Sequence, residues 1–407
     1  MTGKNPDAEA LARQYATYPQ EALLKEKESN KTLTLGLPKE TAYYENRIAL
    51  TPSAVRLITN NGYRVIVETG AGEASKFTDT EYSDAGASIV YSAKEAFDCD
   101  IVMKVEPPSS EEIKMLKQGN TLVSAIQIGS MQPDYLKELS ERRITAVAIE
   151  MIEDKVGTMP IVRAMSEIAG STVMLIAAEY LSSVHDGKGI ILGGITGVPP
   201  TTVVILGAGT VAEYAASAAL GLGAEVKIFD NHIHKLERLR RNVGKHIYTS
   251  TIETSSLANT LEHADVVIGA LRAHKGISPC VVTDEMVANM KTNSVIIDVS
   301  IDQGGCFETS RLTTHREPVF RKYGVIHYCV PNIPSRVART ASTALSNILS
   351  QYLVRTAVSG GIREMIFDNP WFMKGVYMYC GKLTNEHIAK KFNMRYQDLK
   401  LIMAARV

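Results

Sequence analysis

The stretch TTVVILGAGTVAEYAASAALGLGAEVKIFD, residues 201–230, carries the reading of the fold. An aliphatic, β-branched run, Thr201 to Leu206, stops at Gly207, and an alanine-rich helical pattern opens after Gly209. Gly207, Gly209 and Ala212 thus stand in G-x-G-x-x-A spacing between a strand and a helix. Gly207 permits the tight turn, Gly209 lets backbone approach a pyrophosphate held at the helix N-terminus, and Ala212 lets helix and strand pack closely. The next strand ends at Asp230, 21 residues beyond Gly209. A carboxylate there can accept hydrogen bonds from both hydroxyls of an adenosine ribose and repels a 2′-phosphate. The pattern predicts a dinucleotide site that prefers NAD to NADP, with Lys235 and Arg238 as the nearby cations able to neutralise a phosphate instead.

Outward from this unit, β-rich runs alternate with helix-length segments in two series. The first comprises LTLGLP (33–38), YRVIVETG (63–70), DIVMKV (100–105), TLVSAIQI (121–128) and ITAVAIEMI (144–152); the second adds AEVKIF (224–229), DVVIGAL (265–271), SVIIDVS (294–300) and GVIHYCV (324–330) to the strand at 201–206. Such alternation predicts parallel sheets covered by helices. Two long helical patterns, Met165 to Val184 and Arg336 to Val358, bracket the second series like struts between domains. The expected architecture is α/β with two doubly wound parallel-sheet domains. An inserted Rossmann domain covers 161–339, and a discontinuous substrate domain covers 33–160 and 340–407 after a charged leader, 1–32. The glycine-rich run GAGEAS (70–75) lacks a clean helix and a second acid-tipped strand after it, and reads as a structural turn.

Composition narrows the partners. With 407 residues, 45% apolar and 22% charged, the chain is that of a large globular protein of two to three domains. Lys plus Arg and Asp plus Glu are equal at 44 each, so no net positive field gathers nucleic acid or anionic lipid. Apolar stretches such as Val173 to Ala178 are shorter than a membrane span, and the N-terminus has no apolar signal region. Five scattered cysteines, none in C-x-x-C or C-x-x-H spacing, argue against a disulfide framework or a zinc site and fit a reducing cytoplasm.

The segments PKETAYYENRIALTP, ETGAG, IVMKVEPP, MSEIAG, GVPPTTVVILGAGTVA, DVSIDQGGCFETS, TTH and HYCVPNIPSRVART resemble the alanine dehydrogenase family, whose fold is shared by the NAD(H)-binding subunit of proton-translocating transhydrogenase. The resemblance runs from about Leu33 to Arg355 and leaves the leader and the tail beyond Gly361 outside. It implies that Arg47 binds a substrate carboxylate and that Lys104 polarises its carbonyl oxygen, roles suited to a bidentate guanidinium fork and a compact cation. It implies that Asp302, in the IDQGG loop, bridges substrate and cofactor; Asp298 is the competing candidate, but its place inside the strand reads as that of a buried, hydrogen-bonded carboxylate, whereas Asp302 lies at the loop edge. By the same resemblance Ser166, Leu271, Ile301 and Asn332 line the cofactor. The family assembles as symmetric hexamers or smaller units, so a homo-oligomer is expected.

One departure stands out. Where the family has an aromatic residue and a catalytic histidine, this chain has Ala125, Ile126 and Gln127, and all nine of its histidines lie at His185 or later. Glutamine hydrogen-bonds but does not titrate, and a lost acid/base group typically costs about 10²- to 10⁴-fold in rate. Ala125 also widens the pocket. The resemblance implies NAD-dependent oxidation of L-alanine to pyruvate and ammonium, and the reverse. A transhydrogenase-like subunit and a catalytically reduced NAD-binding regulatory protein are the alternatives.

Overall fold

The computed structural model describes residues 32–272 and 278–404; the leader call at 1–32 therefore lies almost wholly outside the described residues. The first sheet has eight strands in the order β15-β14-β6-β5-β4-β1-β2-β3: β1 Thr34–Leu37, β2 Arg64–Glu68, β3 Ser88–Val90, β4 Ile101–Met103, β5 Thr121–Ser124, β6 Thr145–Ala148, β14 Val376–Tyr379 and β15 Lys382–Leu383. The second has seven in the order β12-β13-β11-β10-β7-β8-β9: β7 Thr202–Leu206, β8 Glu225–Phe229, β9 Tyr248–Ser250, β10 Val266–Gly269, β11 Val295–Asp298, β12 Val319–Lys322 and β13 Val325–Tyr328. Central strands such as β7, β10 and β11 are buried along their whole length, as expected where helices cover both faces of a parallel sheet.

Both sheets are mostly parallel, but their edges correct the expectation of purely parallel ones. Strand β12 pairs antiparallel with β13, and β14 antiparallel with both β6 and β15. The strands β3 and β9 escape sequence reading because three residues are too few to show a period. The tail strand β14, VYMY, is buried throughout, so the aromatic C-terminal segment packs on the first sheet.

Two 22-residue helices, Pro160–Leu181 and Ala338–Ser359, pack against each other between the sheets. The first is, by length and composition, apolar enough to cross a membrane, contrary to the expectation from short apolar runs. Its Val173, Met174, Ile176 and Ala177 are instead at most 1% exposed within the core of the second sheet. It lies flush on the Thr210–Gly221 helix: a Cβ on Gly170 would sit 2.4 Å from the Val211 carbonyl oxygen, and the facing side is Ala212, Ala215, Ala216 and Ala219. The second long helix holds the first sheet's turns, its Ser342 and Ser346 hydroxyls accepting from Ile48 N and Thr51 N at 2.9 Å.

Candidate functional site

In each sheet the strand order reverses once, between β1 and β4 and between β7 and β10. Open parallel sheets leave a crevice at the carboxyl ends of the two strands that flank such a reversal. The sequence-predicted residues fall at these two places.

At the first, the turn after β1 carries Glu40, Glu45 and Arg47, and the end of β4 carries Lys104 and Glu106. Arg47 is 8% exposed and forks onto Glu45, with Nε 2.7 Å from Oε1 and Nη2 against Oε2; Nη2 also lies 3.4 Å from Glu106 Oε1. Lys104, 1% exposed, donates to Glu112 Oε1 at 2.7 Å and lies 3.5 Å from Glu40 Oε2. Glu112 is held in turn as the third residue of a capping box begun by Ser109, which orients the partner of Lys104 from a helix terminus. Burial pushes the Glu40 carboxyl up to about 7, against the pull of Lys104 and of the Val105 N–H. Gln127, exposed and at φ 47°, follows β5 and donates its amide to Glu106 Oε2. Glu150 Oε1 fixes that turn by accepting from Ile126 N at 2.8 Å and Gln127 N at 3.1 Å.

At the second place, Gly207 has φ 113°, and a Cβ there would lie 2.5 Å from the Ala270 carbonyl oxygen. Gly209 begins the Thr210–Gly221 helix at φ −84°, and a Cβ added to it meets nothing within 4 Å. The glycine thus leaves open the space above the helix N-terminus, where N–H groups and the dipole favour an anion. Asp230, 4% exposed, accepts from Ala208 N at 2.8 Å through Oδ2 and contacts the backbone and ring nitrogens of His232 through Oδ1. Arg238 donates to the Ala208 carbonyl at 3.1 Å, so Asp230 and Arg238 grip the same glycine-loop residue. Lys235, half-buried, makes no side-chain hydrogen bond or ion pair among the described residues and stands on the same helix, Ile233–Val243.

Leu271 is buried just past β10, its carbonyl accepting from Ser278 Oγ at 2.8 Å and Ser300 Oγ at 2.7 Å; Ile301 is buried in the turn after β11. Asp298 is fully buried and accepts from Ser300 N, Cys306 N and Ser310 Oγ, the structural role expected of it. Asp302 sits in the exposed turn beyond, its carboxyl pushed upward by the protein around it and drawn down by its own backbone N–H and the charge of Arg272. No hydrogen bond or ion pair among the described residues joins Asp302 to Arg47 or Lys104.

The two places meet through Glu45. Asn332 Nδ2 donates to Glu45 Oε2 at 2.9 Å, and Met165, one residue before the half-buried Ser166, brings its sulfur 3.6 Å from Arg47 Nη1. Sequence reading did not single out Glu40, Glu45, Glu106 or Glu112. The available signal was the spacing of Glu45 and Glu106, each two residues from a candidate cation.

Comparison with known proteins gives the family and the fold. Residues 36–169 match the model described as "Alanine dehydrogenase/PNT, N-terminal domain" and residues 173–386 its C-terminal counterpart, so the match extends past Gly361, where the resemblance seen in the sequence stops. The chain is 38% identical over 366 residues to the alanine dehydrogenase of Methanococcus maripaludis, covering 89% of this chain and 98% of that one. It is 36% identical over 369 residues to alanine dehydrogenase 2 of Staphylococcus aureus, covering 90% and 99%. A solved L-alanine dehydrogenase superposes with a TM-score of 0.84 at 34% identity, covering 89% of this chain and 99% of that one. A transhydrogenase from Sinorhizobium meliloti shares the fold with a TM-score of 0.75 at 23% identity, covering 87% and 99%.

Proposed function

Because the chain belongs to the alanine dehydrogenase/PNT family, we propose that it oxidises L-alanine to pyruvate and ammonium with NAD, and runs the reverse reductive amination. The observation that carries this reading is the contact chain Asn332–Glu45–Arg47, which ties the nucleotide side to the substrate side at the mouths of both sheets. In this reading residues 33–160 and 340–407 bind the substrate and 161–339 the cofactor.

The residues present suit a dinucleotide. Gly207 and Gly209 open the βα turn, the helix N-terminus faces the space Gly209 leaves, and Asp230 stands at the end of β8 with one acceptor position beyond its three contacts, out of about four on a carboxylate. With these contacts kept, Asp230 would take one ribose hydroxyl rather than the two expected from the sequence. Ser166, Leu271, Ile301 and Asn332 would border the nicotinamide side, and Lys235 the adenosine side. Bound NAD would supply the acceptor for the hydride leaving the substrate's α-carbon. Arg47, whose Nε and Nη2 are held by Glu45, would meet the carboxylate through its Nη1/Nη2 edge; Lys104 would stabilise the oxygen that develops at the α-carbon, and Asp302 would orient substrate against cofactor. Fixing both reactants in position would supply much of the rate.

Two tests follow. NADH formation with L-alanine and a panel of larger L-amino acids at alkaline pH is expected to show turnover that falls at least about 10²-fold in Asp302→Asn. Binding of NADH without turnover of any amino acid would refute the reading. Gly209→Ala, whose Cβ has room and whose backbone angles any residue adopts, is expected to leave stability within about 0.5 kcal/mol. The same change should weaken NADH binding about 10-fold or more by protruding into the pyrophosphate space, as followed by nucleotide fluorescence.

A further inference from the structure

Where the resemblance places a histidine, this chain has Gln127, and the structure puts a carboxylate on its amide. Glu106 stands between two groups that matter: Oε1 is 3.4 Å from Nη2 of Arg47, and Oε2 accepts from Nε2 of Gln127. A substrate carboxylate held by Arg47 would set its α-carbon one bond, and its nitrogen two bonds, from the carboxylate carbon. The bridging carboxyl of Glu106 is then the acid/base group beside the reacting atoms. We propose that Glu106 supplies the acid/base function that Gln127 cannot, acting on the water and the nitrogen at the substrate's α-carbon. This rests on the dehydrogenase reading above.

The step balances as follows. The substrate ammonium first loses a proton to solvent, and its α-C–H bond breaks with the hydride going to NAD, leaving an iminium. Water then adds to the iminium carbon as the C=N π pair moves to nitrogen, and the proton released by water passes to the Glu106 carboxylate. Glu106 returns that proton to the nitrogen as the C–N bond breaks. The hydroxyl becomes the carbonyl of pyruvate, and its proton leaves with ammonia as ammonium. Gln127 is a positioning residue here: its amide, on a left-handed turn pinned by Glu150, holds the carboxyl in place.

The charged surroundings support the role. From the turn after β1, Arg47 draws the Glu106 proton off, whereas Glu45 and Glu40 favour keeping it; Lys104 on its own strand is committed to Glu112 and Glu40. His315, from the nucleotide side, has Arg336 and Glu45 as its charged neighbours, not Glu106. Burial first, then the hydrogen bond and charge of Glu45, push the Glu106 carboxyl up to about 8, in the range where an acid/base group works at ordinary pH.

The test is the pH profile of the unaltered protein, Glu106→Gln, and the double variant Glu106→Gln/Gln127→His, each first checked for an unchanged thermal transition. Oxidation of L-alanine by the unaltered protein should rise with pH through the Glu106 titration, and reductive amination of pyruvate should fall through it. In Glu106→Gln, kcat should drop about 10²- to 10⁴-fold with KM for L-alanine within a few fold; the reductive-amination limb should flatten, and the oxidation limb should keep only the rise due to the substrate ammonium. The double variant should recover at least tenfold, with a limb displaced toward the histidine range. A retained reductive-amination limb, or a lower KM at unchanged kcat, would overturn the assignment, the second because Glu106 would then only compete with substrate for Arg47. If the unaltered protein turns over no amino acid while binding NADH, the dehydrogenase reading falls, and Glu106 with it.

Discussion

Replacing Arg47 by alanine is expected to destabilise the protein by about 3–5 kcal/mol, the usual result of removing one partner of a buried ion pair. The reason lies in what remains. The Glu45 side chain is 1% exposed; beyond Arg47, it is held by Asn332 Nδ2 at 2.9 Å and, more weakly, by Ser335 Oγ at 3.4 Å. In the intact protein the guanidinium holds the Glu45 carboxyl below the ordinary carboxylate range despite burial. Without Arg47, burial, the largest influence on this carboxyl, is opposed only by the hydrogen bonds of Glu106, Asn332 and Ser335, and the carboxyl is expected to rise. A carboxyl whose folded pKa exceeds its unfolded value contributes stability below the unfolded pKa and loses it as pH rises through the folded one. The deficit of Arg47→Ala, measured by urea unfolding, should therefore be larger at pH 8 than at pH 5, and adding Glu45→Gln should recover most of it. Turnover should suffer separately: kcat/KM for L-alanine should fall on the order of 10³-fold through loss of the fork, with Arg47→Lys recovering little because a point charge does not reproduce bidentate geometry. Full stability in the single variant would show that Arg47 does not hold Glu45, and kcat/KM within tenfold would show that it does not meet substrate.

His327 carries the second large effect, on stability against pH. It lies on β13 with no exposed surface, stacked on Phe320 with ring centroids 4.8 Å apart. Nδ1 is 3.0 Å from the Val325 carbonyl and Nε2 is 2.8 Å from Thr309 Oγ1. The carbonyl requires Nδ1 to donate, so the neutral ring accepts at Nε2 from the threonine hydroxyl. Burial, aided by the charges of Lys322 and Arg311 and opposed by the Val325 carbonyl, pushes the ring down to about 4 from an ordinary 6.5. Because the folded pKa is below the unfolded one for a base, the unfolded chain takes up the proton first. The contribution is complete above about pH 6.5 and is lost as pH falls toward 4, amounting to about 3 kcal/mol at roughly 1.4 kcal/mol per pH unit. The carboxyls of Glu40 and Glu106 titrate in the opposite sense. The clean measurement is thus the difference in unfolding free energy between the unaltered protein and His327→Gln, whose amide can keep both contacts. That difference should shift by about 3 kcal/mol between pH 7 and pH 4; a flat difference would mean that His327 does not govern the acid limb.

What the amino-acid sequence determined by itself is the part encoded by neighbours along the chain. The aliphatic runs at 201–206, 265–271 and 294–300 became β7, β10 and β11 because a strand buried on both faces needs no partner to announce itself. The positions of Gly207, Gly209 and Ala212 follow from a turn whose geometry spans six residues, and Asp298 could be separated from Asp302 by its place inside a strand rather than beyond it. The absence of a histidine near residue 127 was equally plain. The tertiary structure alone decided the rest. Only the strand-order reversals bring the turn after β1 to the ends of β4 and β5, so that Glu45 closes on Arg47, Glu106 joins Arg47 to Gln127, and Glu112 takes up Lys104. The same holds for Asn332 reaching Glu45 across 287 residues, and for the tail strand β14 pairing with β6. Charge pairing is set by distance in space and by how far burial removes water, and neither is written in local periodicity.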